Sequence, residues 1–93
     1  MQTTLKRLES QATIINNMLG TPIAQYTKSK DGTFTPNAHN LHISQQYGGV
    51  ELHQMCETGT GVNNISRNGH DTKAKLDLFM QGMIAALYLV KEQ

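Results

Sequence analysis

Leu5, Leu8, Ala12, Ile15 and Leu19 recur at steps of three and four, which places them on one stripe of a helix. Thr3 or Thr4 offers a capping hydroxyl, and Gly20 followed by Pro22 supplies the stop, so a helix is predicted over residues 1–20. The stripe is the narrow seam of a coiled coil and could meet another copy's helix as readily as its own sheet.

From Ile23 to Ile65 the period changes. Asp31-Gly32 fits a tight hairpin turn within "PIAQYTKSKDGTFTP". "NLHIS" alternates Leu41 and Ile43 against His42 and Ser44, which is strand periodicity, and "VELHQMC" continues less cleanly with Val50, Leu52 and Cys56 on one side. The connections are too short for parallel crossovers, so a small antiparallel sheet of three to four strands is predicted over 23–65. From Thr72 onward Leu76, Phe79, Met80, Met83, Leu87 and Val90 recur at helical spacing, with Asp71 or Thr72 as cap, which predicts a second helix over 71–91. Its other side carries Leu78, Ala85, Ala86 and Leu89, more apolar surface than so small a sheet can cover, and an oligomer interface is expected there. The expected class is α+β: an N-terminal helix, an antiparallel sheet and a C-terminal helix in one domain over 1–93.

Composition narrows the partners. A chain of 93 residues builds one modest core, so self-association would add useful burial. The formal net charge of +1 gives no strong field for nucleic acid or an acidic membrane, which argues against DNA as a partner. Cys56 is the only cysteine, which excludes an intrachain disulfide framework and suits a reducing compartment. The apolar run "MIAALYLV" is far short of a bilayer span, and no signal-like apolar segment opens the chain. A soluble, cytoplasmic protein is expected.

No catalytic signature stands out. His39 and His42 lie three apart and would point to opposite faces of a strand, with no thiol or acid spacing to complete a metal site. Neither Cys56 with His53 nor the carboxylates Glu51 and Glu57 form a convincing nucleophile or acid–base pair. The glycines are more informative. "TGTG", with Gly59 and Gly61, can turn its backbone N–H groups toward an anion, although it lacks the Walker and Rossmann spacings and also reads as a plain turn. Tyr47-Gly48-Gly49 reads either as a strand bulge or as an aromatic platform with room for a flat base to stack. A ring, an approachable backbone and the basic cluster Arg67, His70, Lys73 and Lys75 describe a nucleotide pocket better than an active site.

The stretches "LGTPIAQYT", "NLHISQQYGGVELHQMCETGTGVNNIS" and "LDLFMQGMIAAL" resemble the Thoeris anti-defence protein 1 family of small phage proteins. That resemblance implies a non-enzymatic sponge; no cofactor and, on the missing ligand spacing, no metal is expected. Such a protein holds cyclic ADP-ribose variants made by TIR-domain immune sensors, and some members also take up CBASS cyclic oligonucleotides at a separate basic site. It further implies a homo-oligomer, a dimer or higher with a hexamer among the options, working in the cytoplasm of the infected bacterial host.

On the family pattern Tyr47 stacks on a base and Lys73 meets the phosphates, where Arg67 could compensate; the backbone at Gly48, Gly49, Gly59 and Gly61 is open to the ligand on the reading of the glycines above. Two positions depart from it. Glu57 stands where the family has Asn; its carboxylate could accept ribose hydroxyls but would repel a pyrophosphate. Lys73 stands where the family tends to have Arg, and it lacks the bidentate fork.

Two other readings remain. One is an oligomeric interaction module without a ligand; the other is a small nucleotide hydrolase or cyclase using His53, Glu57 or His70. The parity of an unbroken strand would put Tyr47 and Glu57 on one face, whereas a bulge at Gly48-Gly49 would separate them.

Overall fold

A computed structural model describes residues 3–57, 61–66 and 69–91. Helix α1 spans Leu5–Leu19, capped by Thr4, whose hydroxyl accepts the Arg7 N–H at 3.1 Å, and closed by Gly20, whose N–H reaches the carbonyls of Asn16 and Asn17. Strands β1 (Tyr26–Lys28) and β2 (Phe34–Pro36) form a hairpin around Asp31-Gly32. Strands β3 (Leu41–Gln46), β4 (Gly49–Met55) and β5 (Val62–Asn64) follow, then helix α2 (Lys73–Lys91), where the Thr72 hydroxyl accepts the Lys75 N–H at 3.3 Å. The α+β class and the order helix, antiparallel strands, helix are as expected.

The expected single sheet of three to four strands is in fact two: β1-β2 stand alone, and β3-β4-β5 form an antiparallel sheet. The division has a physical cause. Every residue of β1 and β2 is exposed, so that hairpin has no buried face with which to join the other strands. Its outer surface carries an edge-on contact between Tyr26 and Phe34.

The β3–β4 pair divides its side chains by parity. Leu41, Ile43, Val50 and Leu52 face the helices and pack with Leu8, Ala12 and Ile15 of α1 and Leu76 and Met80 of α2. Burying each such Leu, Ile or Met contributes about 1.5–3 kcal/mol, and this layer is the core of the chain. Phe79, Met83 and Leu87 pack against it as the spacing predicts, whereas Leu19 and Val90, placed on the same stripes, are exposed.

Two polar contacts lock the helices in place. The side chain of Asn16 donates to the Leu41 carbonyl at 2.8 Å and accepts the Leu41 N–H at 2.9 Å, so α1 closes the edge of β3 as a peptide group would. Asp77 of α2 accepts Arg7 Nε at 2.9 Å and Gln11 Nε2 at 2.8 Å from α1, and Gln81 at 2.6 Å. Leu78 and Leu89, on the outer side of α2, are 68% and 67% exposed. No helix among the described residues is long and apolar enough to cross a membrane.

Candidate functional site

The turn from β3 to β4 has only two central residues, since Gln46 pairs directly with Gly49. Tyr47 and Gly48 carry φ of 54° and 73°, the double positive angle of the hairpin turn that follows the right-handed twist of its strands. Gly48 suits that conformation; a tyrosine does not, and Asn, Asp or Gly would be the usual choice. The Tyr47 side chain is 95% exposed, so no burial offsets the strain. Neither the bulge nor a ring plugging the core is found: Tyr47 and Gly48 make a tight turn, Gly49 opens β4, and the ring stands outside.

Gly49 has a different reason to lack a side chain. A Cβ there would lie 2.7 Å from both the carbonyl carbon and the carbonyl oxygen of His70 and 2.9 Å from the carbonyl oxygen of Asp71. The close approach lets Val50 and Asp71 exchange backbone hydrogen bonds of 2.8 and 3.0 Å, which lays the segment before α2 along β4. It also brings Lys73, the first residue of α2, to the hairpin. Gln45, Gln46, Gly48, Gly49, Val50 and Lys73 line an open cavity of about 340 Å³ beside the Tyr47 turn.

The sheet face away from the helices is polar. Register sets His42 opposite His53 and Ser44 opposite Glu51. Glu51 is only 1% exposed and accepts His53 Nε2 at 2.6 Å, while His70 Nδ1 lies 4.0 Å from its other oxygen. Ser44 Oγ holds His70 Nε2 at 3.0 Å. The rings of His53 and His70 are 5.7 Å apart, and those of His42 and His53 5.9 Å, each pair edge to face. Tyr47 makes a similar contact with His70 at 6.2 Å, so the strained tip and the histidine face adjoin.

Burial, then the neighbouring His53, hold His42 below the usual imidazole pKa. Its tautomer follows from the bonds around it. The Asn40 amide nitrogen is committed to the carbonyls of Pro22 and Ile23, so Asn40 Oδ1 is the acceptor and His42 Nδ1 must donate. Nε2 then carries the lone pair.

The residues singled out from the sequence divide into groups. Tyr47, Gly48, Gly49 and Lys73 come together. Glu57 and Gly61 lie past the far end of β4, a strand of seven residues that spans about 20 Å, so one chain does not bring the Tyr47 ring and the Glu57 carboxylate to a common cavity. Gly59 and Arg67 lie outside the described residues. Lys75 is exposed and pairs with Asp71 at 3.4 Å. Sequence reasoning weighed Glu51, His53 and His70 separately and missed that they meet. The available signal was Glu51-Leu52-His53, whose alternation places acid and imidazole on one strand face. The approach of His70 had no local signal. No known family, curated protein or solved structure matches the chain.

Proposed function

We propose that the chain is a non-enzymatic sponge that binds and sequesters a cyclic nucleotide signal, of the cyclic ADP-ribose class or a cyclic oligonucleotide, in the anti-defence role implied by its motif resemblance to phage proteins. The observation that carries this reading is Tyr47, a 95% exposed aromatic ring held on a strained backbone and touched, among the described residues, by the edge-on ring of His70. Strain at an exposed residue points to a ligand, and a flat base is the partner such a ring can stack on, at about 1–3 kcal/mol per base.

The neighbouring cavity fits the rest of a nucleotide. Its volume of about 340 Å³ lies at the lower end of small-molecule sites, and Lys73 offers a point charge for phosphate beside the backbone of Gly48 and Gly49. It is open to solvent, and a second copy of the chain could complete the enclosure. The outward apolar side of α2 is available for that assembly as a homo-oligomer. The same shared arrangement would let Glu57 and Gly61 of another copy approach the Tyr47 tip, which a single chain does not allow.

Isothermal titration with cyclic ADP-ribose isomers and with cyclic di- and trinucleotides tests the proposal. Micromolar or tighter binding is expected for at least one of them, and mass spectrometry of the denatured complex should return it chemically intact. Absence of binding across both classes would leave the interaction module, favoured by the exposed Leu78 and Leu89, as the better reading. Recovery of a cleaved ligand would favour the hydrolase reading and point to His53 and His70.

A further inference from the structure

We infer that Glu51, His53 and His70 form a binding site for a divalent first-row transition ion of the zinc type. The donor atoms of the three residues all lie within 4.8 Å of one another, and two imidazoles with one carboxylate form a donor set that suits such an ion. Magnesium and calcium, which prefer oxygen ligands, are poorly served by it.

Three features separate this cluster from an ordinary polar patch. First, Glu51 is buried at 1% exposure, and its charge partners among the described residues are both histidines, with no lysine or arginine against it. A carboxylate so placed is stabilised by a cation seated between it and the imidazoles. Second, the outer shell is built. Ser44 Oγ engages His70 Nε2 at 3.0 Å and leaves Nδ1 turned toward Glu51, which fixes the nitrogen that a metal meets. Third, the positions are set by the backbone. Glu51 and His53 share a face of β4, and the side-chain-free Gly49 admits the His70 segment to bridge distance.

Ligand nitrogens and oxygens about 2.0–2.2 Å from a tetrahedral zinc lie about 3.3 Å from one another. His53 Nε2 lies 2.6 Å from one Glu51 oxygen and His70 Nδ1 4.0 Å from the other, so binding through either oxygen requires the three side chains to adjust toward that spacing. Binding at His53 Nε2 displaces its hydrogen bond to Glu51 and leaves the ring proton on Nδ1, with the imidazole neutral. Three protein ligands leave a fourth position for water or for an oxygen of a bound anion. The ion would clamp the segment before α2 onto β4, beside the Tyr47 turn.

The site does not depend on the nucleotide reading, and either can fail without the other. The test uses the full chain stripped of metal with a chelator, and Co²⁺ as the probe. Saturable visible absorption at about one ion per chain, displaced by Zn²⁺, is expected. His70→Ala and Glu51→Gln should weaken binding by at least about tenfold, and Ser44→Ala, which keeps all three donors, by about 10- to 100-fold. His39→Ala, at an exposed histidine outside the cluster, should bind as the parent does.

Should a variant fail to fold, histidine ring resonances of the unaltered chain decide the matter. Zn²⁺ should shift those of His53 and His70 and leave His39 in place. A chain that binds no Co²⁺ saturably, an equal loss in His39→Ala, or shifts confined to His39 would overturn the assignment.

Discussion

The α carbon of Gly49 faces the carbonyl of His70 so closely that an added Cβ would sit 2.7 Å from it. This contact joins the two halves of the candidate site, because the segment it admits carries His70 to the Glu51 face and Lys73 to the hairpin turn. Gly49→Ala should therefore destabilise the fold by about 1–3 kcal/mol, the range for overpacking against groups that cannot rotate away. Chemical denaturation measures the loss. Hydrogen exchange at the Val50 and Asp71 amides should rise in the same variant; a variant as stable as the parent with both amides protected would show that the backbone can yield at no penalty.

Tyr47→Asn separates turn from ring. Asn-Gly is the preferred pair for a two-residue turn with two positive φ angles, so the variant should be as stable as the parent or up to about 1 kcal/mol more stable. Nucleotide affinity should fall by about 5- to 150-fold, since one base stack of about 1–3 kcal/mol is gone. Thermal melting and calorimetric titration of this one variant provide both readouts. A destabilised variant would indicate that the ring has a structural partner, as the interaction-module reading requires.

Asn16→Ala removes both bonds to Leu41 and leaves its buried N–H and carbonyl unpaired. With about 1–3 kcal/mol for each such group, a loss of at least 2 kcal/mol is expected in urea titration. The exposed neighbour Asn17 provides the control, and its alanine variant should change stability by less than about 0.5 kcal/mol.

Asp77 sets the acid limb of stability. Burial alone would raise its pKa, but the hydrogen bonds from Arg7 and Gln11, the charge of Arg7 and the bond from Gln81 together hold it below the usual carboxylate value. Its folded pKa is thus lower than its unfolded one. The stabilisation is complete above the unfolded pKa of about 3.9 and is lost as pH falls through the folded value. Asp77→Asn should be less stable than the parent by about 1–2 kcal/mol at neutral pH, and the difference should shrink below about pH 4. Melting curves across that range check the sign.

The outer side of α2 tests the assembly. Leu78→Asp with Leu89→Asp places two charges on side chains that are already 68% and 67% exposed, so a monomeric fold should keep its far-UV spectrum. Sedimentation should show the parent as an oligomer and the double variant as a smaller species. If parent and variant sediment alike as monomers, the shared-pocket arrangement is lost with the interface.

Much of the fold was legible in the amino-acid order because its causes are local. Steps of three and four placed Leu8, Ala12 and Ile15 on one helix face and Leu76 and Met80 on another, and alternation placed Leu41 and Ile43 against them. Capping hydroxyls and the Asp31-Gly32 turn likewise act within a few residues of themselves. The ends of the stripes were misjudged, since periodicity says which way Leu19 and Val90 point and not whether anything lies opposite.

The site was legible only where it is local. Tyr47, Gly48 and Gly49 draw the eye as sequence, and parity along β4 unites Glu51 with His53. Three matters belong to the tertiary structure. Strand pairing decided that Tyr47 and Gly48 form the turn itself, so the parity linking Tyr47 to Glu57 never applied and the two stand at opposite ends of β4. Burial decided that the strands divide into two sheets, because an exposed hairpin has no apolar face with which to join the other. The backbone bridge from Val50 to Asp71 decided that His70, nineteen residues beyond Glu51 in the chain, shares its face. The sequence alone determined which face each side chain takes within its element; which elements meet depends on long-range pairing that no local period encodes.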